Sequence, residues 1–146
     1  GLKNFSNIKG RLNIKQGIKG ATLIDDTYNA NPDSMKAAID VLAAMPAPRI
    51  FVMGDMGELG EDEAAAMHAE VGAYARDKGI EAAYFVGDNS VEAAETFGAE
   101  GLWFADKDPL IQVLSHDLPE RATVLVKGSR FMKMEEVVEA LAATTA

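Results

Sequence analysis

The stretch LIDDTYNANPDSM, Leu23 to Met35, places two aspartates, a tyrosine and two asparagines between an apolar run and a helical pattern. Asn31 can cap that helix, with Pro32 at its first position and Asp33 in its first turn. Asp25 or Asp26 can fix the turn through side-chain-to-backbone bonds. Capping accounts for one or two of these groups but not for five, so the turn reads as a binding site. A second cluster, KGSR, brings Lys127, Ser129 and Arg130 together near a helix start, in a chain of net charge -9. A basic, hydroxyl-bearing group of this kind suits a carboxylate or a phosphate, against the alternative of a solvated surface pair. A third turn, GDMGELGED, holds Asp55 and Glu58 among Gly54, Gly57 and Gly60. Its glycines permit a tight loop and its acids favour a helix N-terminus, which explains it as well as a ligand would.

Several chemistries are missing. The glycine spacing is not G-x-G-x-x-G, no Gly-Lys pair exists for a phosphate loop, and no G-x-S-x-G elbow is present. The chain has no cysteine, and its two histidines, His68 and His116, lie far apart without metal-ligand spacing. No metal ligand or catalytic residue is therefore assigned. His68 reads as structural or surface. The acidic balance argues against a nucleic-acid partner, and no apolar run approaches the roughly 20 residues of a membrane span. Without a visible signal peptide, a cytoplasmic setting is the default. The chain starts at Gly1 rather than methionine, which fits a piece of something longer. It looks like half of a site.

The elements that hold these turns alternate along the chain. GRLNIKQGIKGATLIDD reads as two strands joined by a tight turn around Gly17 to Gly20. Met35, Ala38, Ile39 and Leu42 give the next helix an apolar stripe. RIFVMG (49–54) is a strand, and the long helix after it has Ala64, Met67, Val71 and Tyr74 as its inward face, with Gly79 as its stop. Strands at 82–87, 101–105 and 122–128 follow, with helices near 90–97, 108–115 and 133–143. The last helix repeats Met134, Val137, Val138 and Leu141 at helical spacing. Nearly continuous apolar strands, each followed by a helix, imply a doubly wound α/β domain with a mostly parallel sheet and an antiparallel edge strand. Such sheets bind ligands beyond the carboxyl ends of their strands. The polar turns all leave from that edge, whereas AMPAPR and DKGIEA on the other edge are bland.

DDTYNANPDSM, VMGDMGELGEDEAAAMHAEVG and VLVKGSRFMKMEEVV resemble, in order and spacing, the Rossmann-like C-terminal domain of the Mur ligases. The turn Asp26-Thr27-Tyr28-Asn29-Ala30-Asn31-Pro32 is similar to that of the branch adding D-alanyl-D-alanine. The resemblance implies residues 1–12 as the junction from a central ATPase domain and 13–146 as the C-terminal domain. It implies an ATP-dependent ligase acting on UDP-N-acetylmuramoyl-tripeptide through an acyl phosphate, in peptidoglycan synthesis. ATP and magnesium would be held mainly by the central domain, and the partners would be the enzyme's own N-terminal and central domains. Carried over by position, Arg11 and Asp26 would hold the ribose, with Tyr28, Asn29 and Asn31 near the adenine and phosphates. Lys127, Ser129 and Arg130, with Asp55 and Glu58, would face the incoming dipeptide. The alternative is a stand-alone flavodoxin-like or receiver-like binding module.

Overall fold

Residues 22–26, 49–54, 82–86 and 123–127 are apolar and β-rich enough to be covered on both faces, and each forms a strand. The computed structural model describes residues 13–57 and 59–143. Arg11, Glu58 and the expected junction over 1–12 lie outside the described residues. The strands are β1 (Asn13–Gln16), β2 (Thr22–Asp26), β3 (Arg49–Gly54), β4 (Ala82–Val86), β5 (Gly101–Phe104) and β6 (Thr123–Lys127). The helices are α1 (Pro32–Ala43), α2 (Glu61–Asp77), α3 (Ser90–Phe97), α4 (Lys107–Asp117) and α5 (Glu135–Leu141). Two 3-10 turns, Ile18–Gly20 and Arg130–Met132, complete the order. The final helix begins later than expected because Arg130–Met132 turns tightly and Lys133 adopts φ 53, which no α-helix tolerates.

The sheet order is β1-β2-β6-β3-β4-β5. β1 pairs antiparallel with β2, Asn13 opposite Asp25, and every other pairing is parallel. Alternation along the strands sorts the core into two halves. Ile24, Phe51, Met53, Phe85 and Leu125 lie under α1, α2 and α3, with Met35, Ile39, Leu42 and Val71. Leu23, Val52, Val86, Val124 and Val126 lie under α4 and α5, with Leu110, Leu114, Met134, Val137 and Leu141. Each such side chain contributes about 2 kcal/mol by leaving water.

The stripe on α2 departs from the spacing read above. Ala64, His68, Val71, Gly72 and Ala75 are its buried residues, while Met67 and Tyr74 pack only partly against the core. The physical reason is close helix contact: a Cβ on Gly72 would lie 2.1 Å from the Ala93 carbonyl oxygen. Small residues therefore face α3, and the larger Met67 and Tyr74 are rotated to the flank. β6 enters between β2 and β3, yet the helix after β6 covers the opposite face from those after β2 and β3. Neighbouring turns that diverge in this way open a crevice at the strand ends.

Candidate functional site

Asp26 and Lys127 end adjacent parallel strands and are register partners. Lys127 is 2% exposed, and its Nζ donates to Asp26 Oδ2 at 2.9 Å and to the Asn29 carbonyl oxygen at 2.8 Å. The ammonium thereby straps the whole 26–31 turn to the central strand. The turn supports itself further on. Asn31 Oδ1 accepts the Ser34 N–H at 2.8 Å and Ser34 Oγ accepts the Asn31 N–H at 3.0 Å, a reciprocal cap on α1. Asn29 Oδ1 accepts the Ala30 N–H at 2.8 Å. Asp25 leaves the sheet on the other face, where Lys15 and Thr27 Oγ1 hold it at 3.0 and 2.7 Å.

The β6 turn meets this one from the side. Arg130 places its guanidinium carbon 5.2 Å from the Tyr28 ring centroid, a cation–π contact. Among the described residues it makes no ion pair. Beside it, Ser129 is 4% exposed, and its Oγ is buried with no hydrogen-bond partner among the described residues. Its backbone N–H donates to the Asp55 carbonyl oxygen at 3.0 Å. The Asp55 carboxylate itself is engaged within the protein, accepting from the Ser90 N–H, Ser90 Oγ and Asn89 N–H at 2.9, 2.7 and 3.1 Å. His68, which the sequence left without a defined place, is fully buried and accepts the Met56 N–H at 2.9 Å.

Two clefts of about 410 Å³ flank Arg130, which lines both. One is walled by Asp25, Thr27, Tyr28, Lys133 and Glu135. The other is lined by Asn29, Asn31, Ser129 and Arg130 together with Ala30, Gly57, Leu59 and Phe131. Among the described residues, that second lining contains no carboxylate. Its asparagine amides, its guanidinium and its unpartnered hydroxyl are all able to donate, and its apolar wall is Ala30, Leu59 and Phe131. This is the chemistry for a small anionic ligand with a short aliphatic part. The cleft joins two groups of residues that the sequence assigned to different ligands: Asn29 and Asn31 from one turn, Ser129 and Arg130 from another. Asp26 and Lys127 are not in that lining; Lys127 is spent on Asp26 and on the carbonyl oxygen of Asn29, which is. Leu59 and Phe131 were missed, because nothing in their types or spacing marks them, whereas Gly57 belongs to the turn whose glycines read equally as a tight loop or a ligand contact. Among the described residues no three His, Asp or Glu side chains converge to hold a metal.

The family model for the Mur ligase glutamate ligase domain matches residues 10–130. The chain belongs to the Mur ligase family. A curated relative, UDP-N-acetylmuramoyl-tripeptide–D-alanyl-D-alanine ligase of Escherichia coli K12, is 47% identical over 97% of this chain and 31% of its own length. The Haemophilus influenzae enzyme of the same name is 42% identical over 97% of the chain and 32% of its own. Among solved structures, MurF of Acinetobacter baumannii superposes with a TM-score of 0.79 at 34% identity, covering 91% of this chain and 30% of that one. MurF of Thermotoga maritima in complex with ADP superposes at 0.78 with 27% identity, over 90% of this chain and 30% of that one. The Mur ligase domain described here thus spans about a third of the relatives it matches. Its antiparallel β1–β2 pair and otherwise parallel sheet are the α/β architecture of those ligases' C-terminal domains. Among its described residues no helix is long and apolar enough to cross a membrane.

Proposed function

We propose that this Mur ligase domain forms the closing face of an ATP-dependent ligase that joins D-alanyl-D-alanine to UDP-N-acetylmuramoyl-tripeptide. In that reaction ATP phosphorylates the terminal carboxylate of the peptide, and ADP leaves. The free amine of the dipeptide attacks the acyl carbon, the tetrahedral intermediate loses phosphate, and an amide remains. ATP and magnesium would be bound mainly by a central domain outside this chain, and Arg11 with Asp26 would meet the ribose. Tyr28, Asn29 and Asn31 would lie toward the adenine and phosphates. Ser129 and Arg130 are the natural holders of the dipeptide carboxylate, with Leu59 and Phe131 against its methyl groups. Lys127 and Asp55 would serve that contact from beneath, and Glu58 would face the same ligand. An acyl phosphate survives only where water is excluded, and closure of a separate domain is a direct way to exclude it. Holding the dipeptide beside the phosphates presents its amine for attack.

One observation supports this reading above the rest: among the described residues, a buried hydroxyl without a partner lies beside an arginine without a carboxylate, in a cleft whose described lining carries no acid. Leaving such a hydroxyl unsatisfied costs about 1–3 kcal/mol, which a ligand carboxylate would offset. In the ligase carrying this domain, Arg130→Ala should raise KM for the dipeptide by tenfold or more, about 1.4 kcal/mol. The domain should stay folded by circular dichroism, because Arg130 is exposed and its contact with the Tyr28 ring is worth only about 0.5–1 kcal/mol. Unchanged kinetics would end the assignment. Asp26→Ala is the poorer probe, since it strands the buried Lys127 ammonium.

A further inference from the structure

We infer that His68 and Asp55 are positioning residues that set the place of the Ser129 hydroxyl; the inference rests on the second cleft being a ligand site. Because His68 Nε2 takes the Met56 N–H at 2.9 Å, Nε2 is an acceptor. The ring proton then sits on Nδ1, which donates to the Ala64 carbonyl oxygen at 2.7 Å. One tautomer of a neutral imidazole is selected. The adjacent Asp55 carboxylate takes the first N–H groups of α3, whose own N-cap residue Asn89 makes no side-chain cap. It does for a neighbouring helix what a cap usually does from within, favoured by the helix dipole. The Asp55 carbonyl oxygen accepts the Ser129 N–H at 3.0 Å. Asp55 therefore ties together the turns after β3, β4 and β6, and Met56 beside it anchors the first of them to His68 on α2.

The junction has no slack. Gly87 has φ +115, and a Cβ there would stand 2.4 Å from Asp55 Oδ1. Met56 is 3% exposed, so loss of the Nε2 acceptor strands a buried N–H. The β3 turn must then shift to rescue it, and Ser129, bonded to that turn, shifts as well. A role in filling space alone would not depend on which ring nitrogen is replaced.

Amide exchange in the 146-residue chain separates these cases. His68→Asn retains a group near Nδ1 and removes the acceptor at Nε2; His68→Gln carries an amide oxygen out to where Nε2 stood. In His68→Asn, the Met56 and Ser129 amides should exchange about tenfold faster, with Val52 and Leu125 in the sheet unchanged. His68→Gln should stay within about threefold of wild type at all four. Wild-type spectra should show a nitrogen–nitrogen coupling across the bond from the Met56 amide to His68 Nε2. A wild-type ring protonated at Nε2 overturns the inference. So does an unchanged Ser129 rate in His68→Asn, uniform acceleration at all four amides, or a glutamine as disruptive as the asparagine. The wild-type coupling and the glutamine variant keep the idea refutable if the asparagine variant does not fold. Titration with D-alanyl-D-alanine keeps the two readings apart. If it shifts Ser129 equally in wild type and His68→Asn, positioning fails; if it shifts neither, the ligand reading fails while the exchange pattern still decides the hub.

Discussion

The two rims of the sheet are both polar, and they differ in what their polar groups have left to do. On the rim at the amino ends of the strands, Arg49 spends its guanidinium on the Ala43 and Gly79 carbonyl oxygens and on both carboxylate oxygens of Glu81, at 2.6 to 3.0 Å. Lys19 likewise closes on the His116 and Leu118 carbonyl oxygens at 3.0 and 3.2 Å. These cations satisfy the chain ends of helices and turns. On the opposite rim, Lys127 and Asp55 are equally committed, but among the described residues Ser129 Oγ has no partner and the Arg130 guanidinium has only an aromatic ring. Polarity alone does not separate a site from a scaffold. Unspent hydrogen-bonding capacity does, because folding stability has no use for it and a ligand does.

Substitutions can break or sharpen that contrast. Lys127→Met should cost the most, about 3–5 kcal/mol in urea unfolding, since it leaves Asp26 buried without its counter-charge. A loss below about 1 kcal/mol would mean that water reaches the pair. Gly87→Ala should cost about 2–3 kcal/mol, combining an unfavourable φ with collision against Asp55, and a thermal melt reads it. Arg49→Ala on the scaffold rim should cost about 1–2 kcal/mol, whereas Ser129→Ala, which removes an unsatisfied buried hydroxyl, should cost nothing and raise stability by about 1 kcal/mol. Equal losses at these two positions would erase the distinction between the rims. The smallest effect is one of pH. Hydrogen bonding from Arg49 lowers the Glu81 pKa below its ordinary 4.5. That bridge therefore contributes fully above about pH 4.5 and is lost as pH falls through the depressed folded-state value. Glu81→Gln should flatten the dependence of Tm on pH in that acidic window while leaving neutral behaviour nearly unchanged.

Much of this was legible beforehand because it is local. The Asn31 cap, Pro32 at the first position and the stripe Met35, Ala38, Ile39 and Leu42 specify α1 from within one segment, and all four stripe residues are buried. Apolar runs mark the strands for the same reason, and the turns at their carboxyl ends do gather on one rim. The α2 stripe was misread at Met67 and Tyr74, since which flank of a helix faces inward depends on how closely its neighbour approaches, here through Gly72 and Ala93.

The sequence by itself determined the alternation of strands and helices, the polar character of one set of turns and the family, since each depends on residue types at short spacing. The tertiary structure alone decided which polar groups are consumed. Lys127 meets Asp26 across 101 positions of chain and Asp55 meets Ser90 across 35, so only folding can show that both are occupied. It also decided that Asn29 and Asn31 share a cleft with Ser129 and Arg130. Hydrogen-bond satisfaction belongs to pairs of atoms, and the order of residues does not record which pairs will form.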